Sequence, residues 1–369
     1  MRALSARQRD QVGGQPPSPV PSLKEVHRTR EPELGPPAYV RLDRNERLAP
    51  LPEWFIAGVR QSLESVLLTT YPMQDKFRCQ LAKQFGLAEE QVLLTAGSDA
   101  ALKALYQAYV RPGDGVVMLD PSYAMYPVYA QMFQAEARLV PFHAGLALDA
   151  TRLLDAVVRG VRLVVLANPN QPTGTVLPEA VLEQLVERAA VAGAVLAIDE
   201  AYHPFSRVTV LPWINRVAHL VVTRTFSKAA GLAGLRIGFV AGHPEVMANL
   251  HKVRSAHDVN SMAIHCAAQL LAHPQVVDEY VAEVHAGGRV LTERVRALGL
   301  TPIPTHTNFL LIRVSHRCPP GELVERLRAR GYLVKGPFSA PCLADCIRVT
   351  LGPPDLMERF AVCLGEVLA

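Results

Sequence analysis

Five short apolar segments constrain this chain more than anything else in it: GVVMLDPSY (115–123), EARLVPF (136–142), VRLVVLANPN (161–170), AVLAIDEAY (194–202) and HLVVTRTFSK (219–228). Their Val, Leu and Ile come in runs without strict alternation, the pattern of strands buried on both faces of a mainly parallel sheet. PEAVLEQLVERAAVAG, between two of them, has helical spacing and ends at a glycine. This order predicts an α/β fold, a sheet with helices on both sides.

After a helical stretch from 245 to about 298 the pattern changes. TNFLLIRV, GYLVKG and CIRVTLG predict three strands of one separate small sheet, with the helix GELVERLRARG between the first two. No fixed period repeats along the chain. A large α/β domain followed by a small α+β domain is therefore expected. Residues 1–37 stand apart. GGQPPSPVPS and EPELGPP are proline-rich, cannot bury a face, and predict a disordered extension.

Charge and cysteine usage narrow the partners. A net charge of +4 over 369 residues, without a dense Lys/Arg block, argues against nucleic acid. No apolar run reaches the roughly 18 residues needed to span a bilayer. Cys79, Cys266, Cys318, Cys342, Cys346 and Cys363 form no CxxC pair, and no Cys/His set stands at ligand spacing. Reduced thiols, a cytoplasmic location and no metal site are expected.

Ligands of open parallel sheets gather beyond the carboxyl ends of the strands. The strand 92–95 runs into AGSDAALKALYQAY, a glycine turn opening a helix. Ser98 and Asp99 there either offer free N–H groups to a phosphate or simply cap the helix. Tyr123 stands just beyond the strand at 115, and NPNQPTG follows the next. Asp199 ends the strand of AIDEAY, with Tyr202 three residues on, and a carboxylate leaving so apolar a strand asks for a cation. TRTFSKAAGLAGLRIGF then brings Thr225, Ser227, Lys228 and Arg236.

One ligand would use all of these: pyridoxal phosphate (PLP). Its phosphate wants a helix N-terminus, hydroxyls and a bidentate arginine. Its ring nitrogen wants a carboxylate, its ring face an aromatic, its phenolic oxygen a donor, and its aldehyde a lysine amine. GLAGLRIG is not GxGxxG, and no P-loop glycine pattern precedes Lys228, so dinucleotide and nucleoside-triphosphate sites are excluded.

TFSKAAGLAGLRIGF, IDEAY, the NPNxPTG turn, LDRNE, TYP at 70–72, TNFLLIRV and CIRVTLGPP resemble the class I/II aminotransferases of PLP fold type I. The likeness is greatest to the histidinol-phosphate aminotransferase group and runs from about residue 40 to the end. It implies a large PLP-binding domain over 71–255 and an interdomain helix with the C-terminal small domain over 256–369. Residues 38–70 would be an N-terminal segment joining the small domain.

By that resemblance Lys228 would hold the cofactor covalently and move the proton between Cα and C4′. Asp199 would pair with the ring nitrogen, Tyr202 would donate to the phenolic oxygen, and Tyr123 would stack on the ring. Ser98, Asp99, Thr225, Ser227 and Arg236 would surround the phosphate. Tyr71 would reach the phosphate of the neighbouring subunit, implying a homodimer. Arg348 would clamp the substrate's anionic end, and Asn45 and Glu46 would lie where the N-terminal segment closes over it.

Three departures bear on substrate. Gln171, one methylene longer, replaces the asparagine usual before PTG that contacts the phenolic oxygen, and Asn168 and Asn170 are close in sequence. Lys335 stands where the group tends to show an arginine, and loses the bidentate fork. His257-Asp258 replaces a Tyr-Asn pair expected after the long interdomain helix. The reaction implied is transfer of an amino group between an amino acid or amino alcohol phosphate and a 2-oxo acid such as 2-oxoglutarate. Decarboxylation of an amino acid phosphate and a non-catalytic PLP-binding regulator are the alternatives on the same scaffold.

Overall fold

The computed structural model describes residues 20–23, 26 and 38–369, so the extension expected over 1–37 lies almost wholly outside the described residues. Twelve strands occur among them: β1 (Val40–Leu42), β2 (Val92–Thr95), β3 (Gly115–Asp120), β4 (Glu136–Pro141), β5 (Val161–Ala167), β6 (Val195–Asp199), β7 (Leu220–Thr225), β8 (Gly238–Gly242), β9 (Thr301–Ile303), β10 (Phe309–Arg313), β11 (Tyr332–Val334) and β12 (Cys346–Thr350). β2 to β8 form one sheet in the order β2-β8-β7-β6-β5-β3-β4. The pairings from β7 across to β4 are parallel, and β8 alone runs antiparallel to both its neighbours.

Both faces of this sheet are covered, which is why its strands read as unbroken apolar runs. Val116 and Met118, Leu163 and Val165, and Ala197 pack into one core with Leu102 and Leu105 of helix Gly97–Tyr109 and Leu250 of helix Pro244–Val253. The alternate residues Val117, Leu119, Val164, Leu166, Leu196 and Ile198 fill the other core with Leu182 and Leu185. Those leucines belong to helix Glu179–Ala192, which ends where Gly193 takes φ 69°. Each fully buried leucine contributes about 1.5–3 kcal/mol.

The C-terminal part departs from the single three-stranded sheet expected. β10 pairs antiparallel with β12 and with β9, while β11 pairs in parallel with β1 from the N-terminal segment. A backbone bridge between Lys335 and Arg348 ties β11 to β12. β9 escapes sequence reading because TPI is short and carries a proline, which suits only an edge strand. The stretch 245–298 is likewise three helices, Pro244–Val253, Ser261–Ala272 and Gln275–Ala297. Asn260 caps the second, its Oδ1 accepting from Ala263 N at 2.8 Å. His257 and Asp258 thus precede the long helix rather than follow it. Among the described residues no helix is long and apolar enough to cross a membrane.

Candidate active site

Strand directions bring the opening of one helix, a lysine and an arginine together. β8 is antiparallel to β2 and β7, so its first residue, Gly238, stands beside the last residues of both, Thr95 and Thr225. Ser98, Lys228 and Arg236 therefore leave one spot from three chain segments. A Cβ on Gly238 would lie 2.6 Å from Arg224 O and 2.9 Å from Ser98 N, so only glycine admits this approach. The helix starts at Gly97 with Ala96 at its cap and no side-chain cap bond, so Ser98 and Asp99 stand inside its first turn. The Arg236 guanidinium lies over Gly97, where a Cβ would meet Nη2 at 3.0 Å. Arg236 Nη1 donates to Ser227 Oγ at 3.3 Å, and Thr225 Oγ1 donates to the same oxygen at 3.0 Å. Uncapped N–H groups, two hydroxyls and a guanidinium make a cradle for a phosphate.

A cavity of about 600 Å³ opens beside this cradle. Asn45, Ser98, Asp99, Tyr123, Gln171, Asp199, Tyr202, Thr225, Ser227, Lys228, Arg236, Lys335 and Arg348 all line it. Lys228 Nζ donates to Arg44 O at 3.2 Å and lies 5.7 Å from the centre of the Tyr202 ring. Tyr123 OH donates to Asp99 Oδ1 at 3.3 Å, fixing the tilt of its ring. Lys335 and Arg348, joined by their backbones at 3.0 and 2.8 Å, form a cationic wall, and Arg348 Nη2 donates to Asp43 O at 2.8 Å.

Asp199 is buried and, among the described residues, meets only neutral donors: Tyr126 OH at 3.0 Å, Thr223 Oγ1 at 2.9 Å and Ala201 N at 3.2 Å. Burial outweighs these bonds and pushes its carboxyl up to about 6. Tyr126 and Thr223, which hold the Asp199 carboxyl, were missed by sequence reading. Tyr126 stands three residues after Tyr123 in the same motif, and Thr223 is the cross-strand partner of Asp199. Asp43 and Arg44, which also line the cavity, were legible only as neighbours of Asn45.

Five expected residues lie elsewhere. Asn168 is fully buried and its Oδ1 accepts from Leu177 N at 2.8 Å, so it holds the turn after β5 and does not line the cavity. Glu46 turns to Arg41 Nη2 at 3.4 Å. Asp258 pairs with Arg254 Nη1 at 2.7 Å within its own turn. His257 is exposed and stacks on Tyr71, ring centres 4.4 Å apart. Tyr71 is itself 76% exposed and outside this cavity.

Residues 39–364 match the family model described as aminotransferase class I and II. The chain is 34% identical to a histidinol-phosphate aminotransferase of Symbiobacterium thermophilum, covering 100% of this chain and 98% of the relative. A histidinol-phosphate aminotransferase of Ralstonia nicotianae is 36% identical, over 89% of this chain and 90% of that one. Among solved structures, histidinol-phosphate aminotransferase from Sinorhizobium meliloti in complex with pyridoxal-5'-phosphate superposes with a TM-score of 0.82 at 26% identity, over 95% of this chain and 97% of that one. The fold and the match over almost the whole chain agree, and the chain belongs to the class I and II aminotransferases.

Proposed function

We propose that this chain is a PLP-dependent aminotransferase, passing an amino group between an amino alcohol phosphate of the histidinol phosphate kind, or an amino acid, and a 2-oxo acid such as 2-oxoglutarate. The observation that carries the reading is the buried Asp199, without a cationic partner, in one cavity with Lys228 and the phosphate cradle. The donor set fits PLP. A pyridinium proton supplies the cation Asp199 lacks, and the helix start, Thr225, Ser227 and Arg236 suit the phosphate.

When bound, PLP supplies a sink for the electron pair left at the substrate's Cα. The chain's own residues do the rest. Lys228 would hold the cofactor through Nζ and then carry the proton from Cα as a general base. Asp199 would keep a proton on the ring nitrogen, Tyr123 would face the ring, and Tyr202 and Gln171 would serve the phenolic oxygen. Arg348 and Lys335 bind the substrate's carboxylate or phosphate, and Lys335 does so as a point charge rather than a fork.

Leu68, Tyr71 and Met73 are 67%, 76% and 80% exposed, a patch that favours a homodimer in which Tyr71 reaches the neighbouring cavity. The six free cysteines suit the reducing cytoplasm. The domain division that goes with this reading is 71–255 for the PLP-binding domain, with 38–70 and 256–369 making up the remainder. The test is reconstitution with PLP and a screen of donors and acceptors that includes histidinol phosphate with 2-oxoglutarate. Donor alone is expected to convert the bound cofactor to its pyridoxamine form. Carbon dioxide release without that conversion would overturn amino transfer in favour of decarboxylation.

A further inference from the structure

Asn45 is 2% exposed, takes φ 56°, and uses every polar group it has. Its N–H donates to Thr350 Oγ1 at 3.0 Å, and its carbonyl oxygen accepts from Asn308 Nδ2 at 3.0 Å. Thr350 Oγ1, accepting from that N–H, gives its own proton to Asn45 Oδ1 at 3.3 Å. An amide whose oxygen is thus engaged presents its nitrogen on the other side. Asn45 Nδ2 donates to Tyr202 OH at 2.9 Å. The Tyr202 oxygen therefore accepts from Asn45, and its single proton is left to be given elsewhere. Tyr202 lines the cavity beside Lys228.

We infer that Asn45 is a positioning residue: through an amide oriented by Thr350, it aims the Tyr202 hydroxyl proton into the cavity, at the phenolic oxygen of the cofactor. The N-terminal segment is then more than a cover over the substrate. β1 and the turn after it deliver the group that sets one hydrogen-bond direction at the reacting end of the site. Asn at this position also meets the backbone need, since it tolerates the left-handed conformation.

The inference rests on the PLP reading, and absorbance separates the two. A donor to an ionised phenolic oxygen favours the ionised form, so losing it raises the pH at which the Lys228-bound chromophore gives up its proton. In the wild-type holoenzyme a visible band that titrates, and that Lys228→Ala abolishes, is expected. Its absence would refute the cofactor reading itself. Tyr202→Phe is expected to raise the midpoint by about 1 pH unit. Asn45→Gly keeps the left-handed backbone and its two backbone hydrogen bonds while removing the amide. It is expected to raise the midpoint by roughly half a unit, and to add nothing in the Tyr202→Phe background. Thr350→Val, which keeps the Asn45 amide but removes both the acceptor of its N–H and the donor that aims it, is expected to give a smaller rise that also vanishes in that background. It keeps the test alive if Asn45→Gly fails to fold. An unchanged midpoint in these variants, or shifts that persist without the Tyr202 hydroxyl, would overturn the inference.

Discussion

Asp199 and Glu200 follow one another at the end of β6, both buried, and leave it toward opposite sides of the sheet. Glu200 meets a charge. Arg224 Nη2 and Nε donate to its Oε2 at 2.7 and 3.0 Å, Thr209 Oγ1 donates at 2.8 Å, and Val210 N at 2.7 Å to Oε1. The Arg224 guanidinium also lies 5.0 Å from the centre of the Phe85 ring. Asp199 has only neutral donors, and its carboxyl rises to about 6. One carboxylate is completed by the fold, and in the function proposed above the other is completed by the cofactor. A buried carboxyl whose partners among the described residues are all neutral is a candidate for binding a cation from outside the chain.

If this contrast is right, the two acids fail in opposite ways. Asp199→Asn keeps shape and donors' company but cannot pair with a cationic ring. Turnover is expected to fall on the order of 10³-fold or more, about 4 kcal/mol, with the apo fold intact. Steady-state rates beside a urea denaturation curve check both halves, and near-normal turnover would remove Asp199 from the chemistry. Glu200→Ala strands the buried Arg224 and is expected to cost about 3–5 kcal/mol of stability. A stability loss below about 1 kcal/mol would show that water reaches Arg224 and that the pair is not a closed unit.

The pH dependence of the apo protein sharpens the contrast further. Asp199 in the unfolded chain titrates near 3.8 and in the folded one near 6. Below the lower value both states hold the proton and the folded state's preference for it is fully expressed. As pH rises through about 6 the folded protein must ionise a buried carboxyl, and that stability is lost. The difference amounts to about 3 kcal/mol, and Asp199→Asn is expected to remove it. Denaturation at pH 4.5 and 7.5, with the variant as reference, is expected to show about 2 kcal/mol of it, since the part between 3.8 and 4.5 is already lost at the lower pH. A wild type no less stable relative to the variant at the higher pH would mean that Asp199 already has a cationic partner.

Much of this was legible in the sequence, because short-range signals carry it. The apolar runs located the seven-stranded sheet's parallel strands, and strand ends located Tyr123, Asp199, Lys228 and Arg236. What stayed hidden depends on distant pairing. Glu200 was passed over because its partner Arg224 lies 24 residues on, on the next strand. GYLVKG does touch β12 through Lys335, but its main partner β1 stayed hidden, because β1 lies almost 300 residues upstream and is too short to announce itself. The polar turn NPNQPTG holds several amides, and only its path in space shows that Gln171 lines the cavity while Asn168 does not. Glu46 and His257 carried suitable chemistry in suitable neighbourhoods, but local partners, Arg41 and Tyr71, hold them elsewhere.

The smallest expected effect probes the neutral shell around Asp199. Tyr126 is fully buried, and its hydroxyl donates to Asp199 Oδ2 at 3.0 Å and to nothing that Phe would need. Tyr126→Phe preserves the packing and removes one bond that favours the ionised carboxylate. The carboxyl therefore moves further up, a smaller share is ionised near neutrality, and the acid limb of the pH–rate profile shifts toward higher pH. A bond to a charged group is worth about 1.5 kcal/mol here, which corresponds to roughly tenfold weaker cofactor retention at pH 6. The loss is expected to shrink as pH rises, because the carboxylate is then ionised with or without the phenol. Glu200, with its own cation, predicts no such dependence for Thr209→Val. A cofactor affinity that falls equally at pH 6 and 8 in Tyr126→Phe would show that the phenol acts through packing, and that the neutral shell does not control the charge of Asp199.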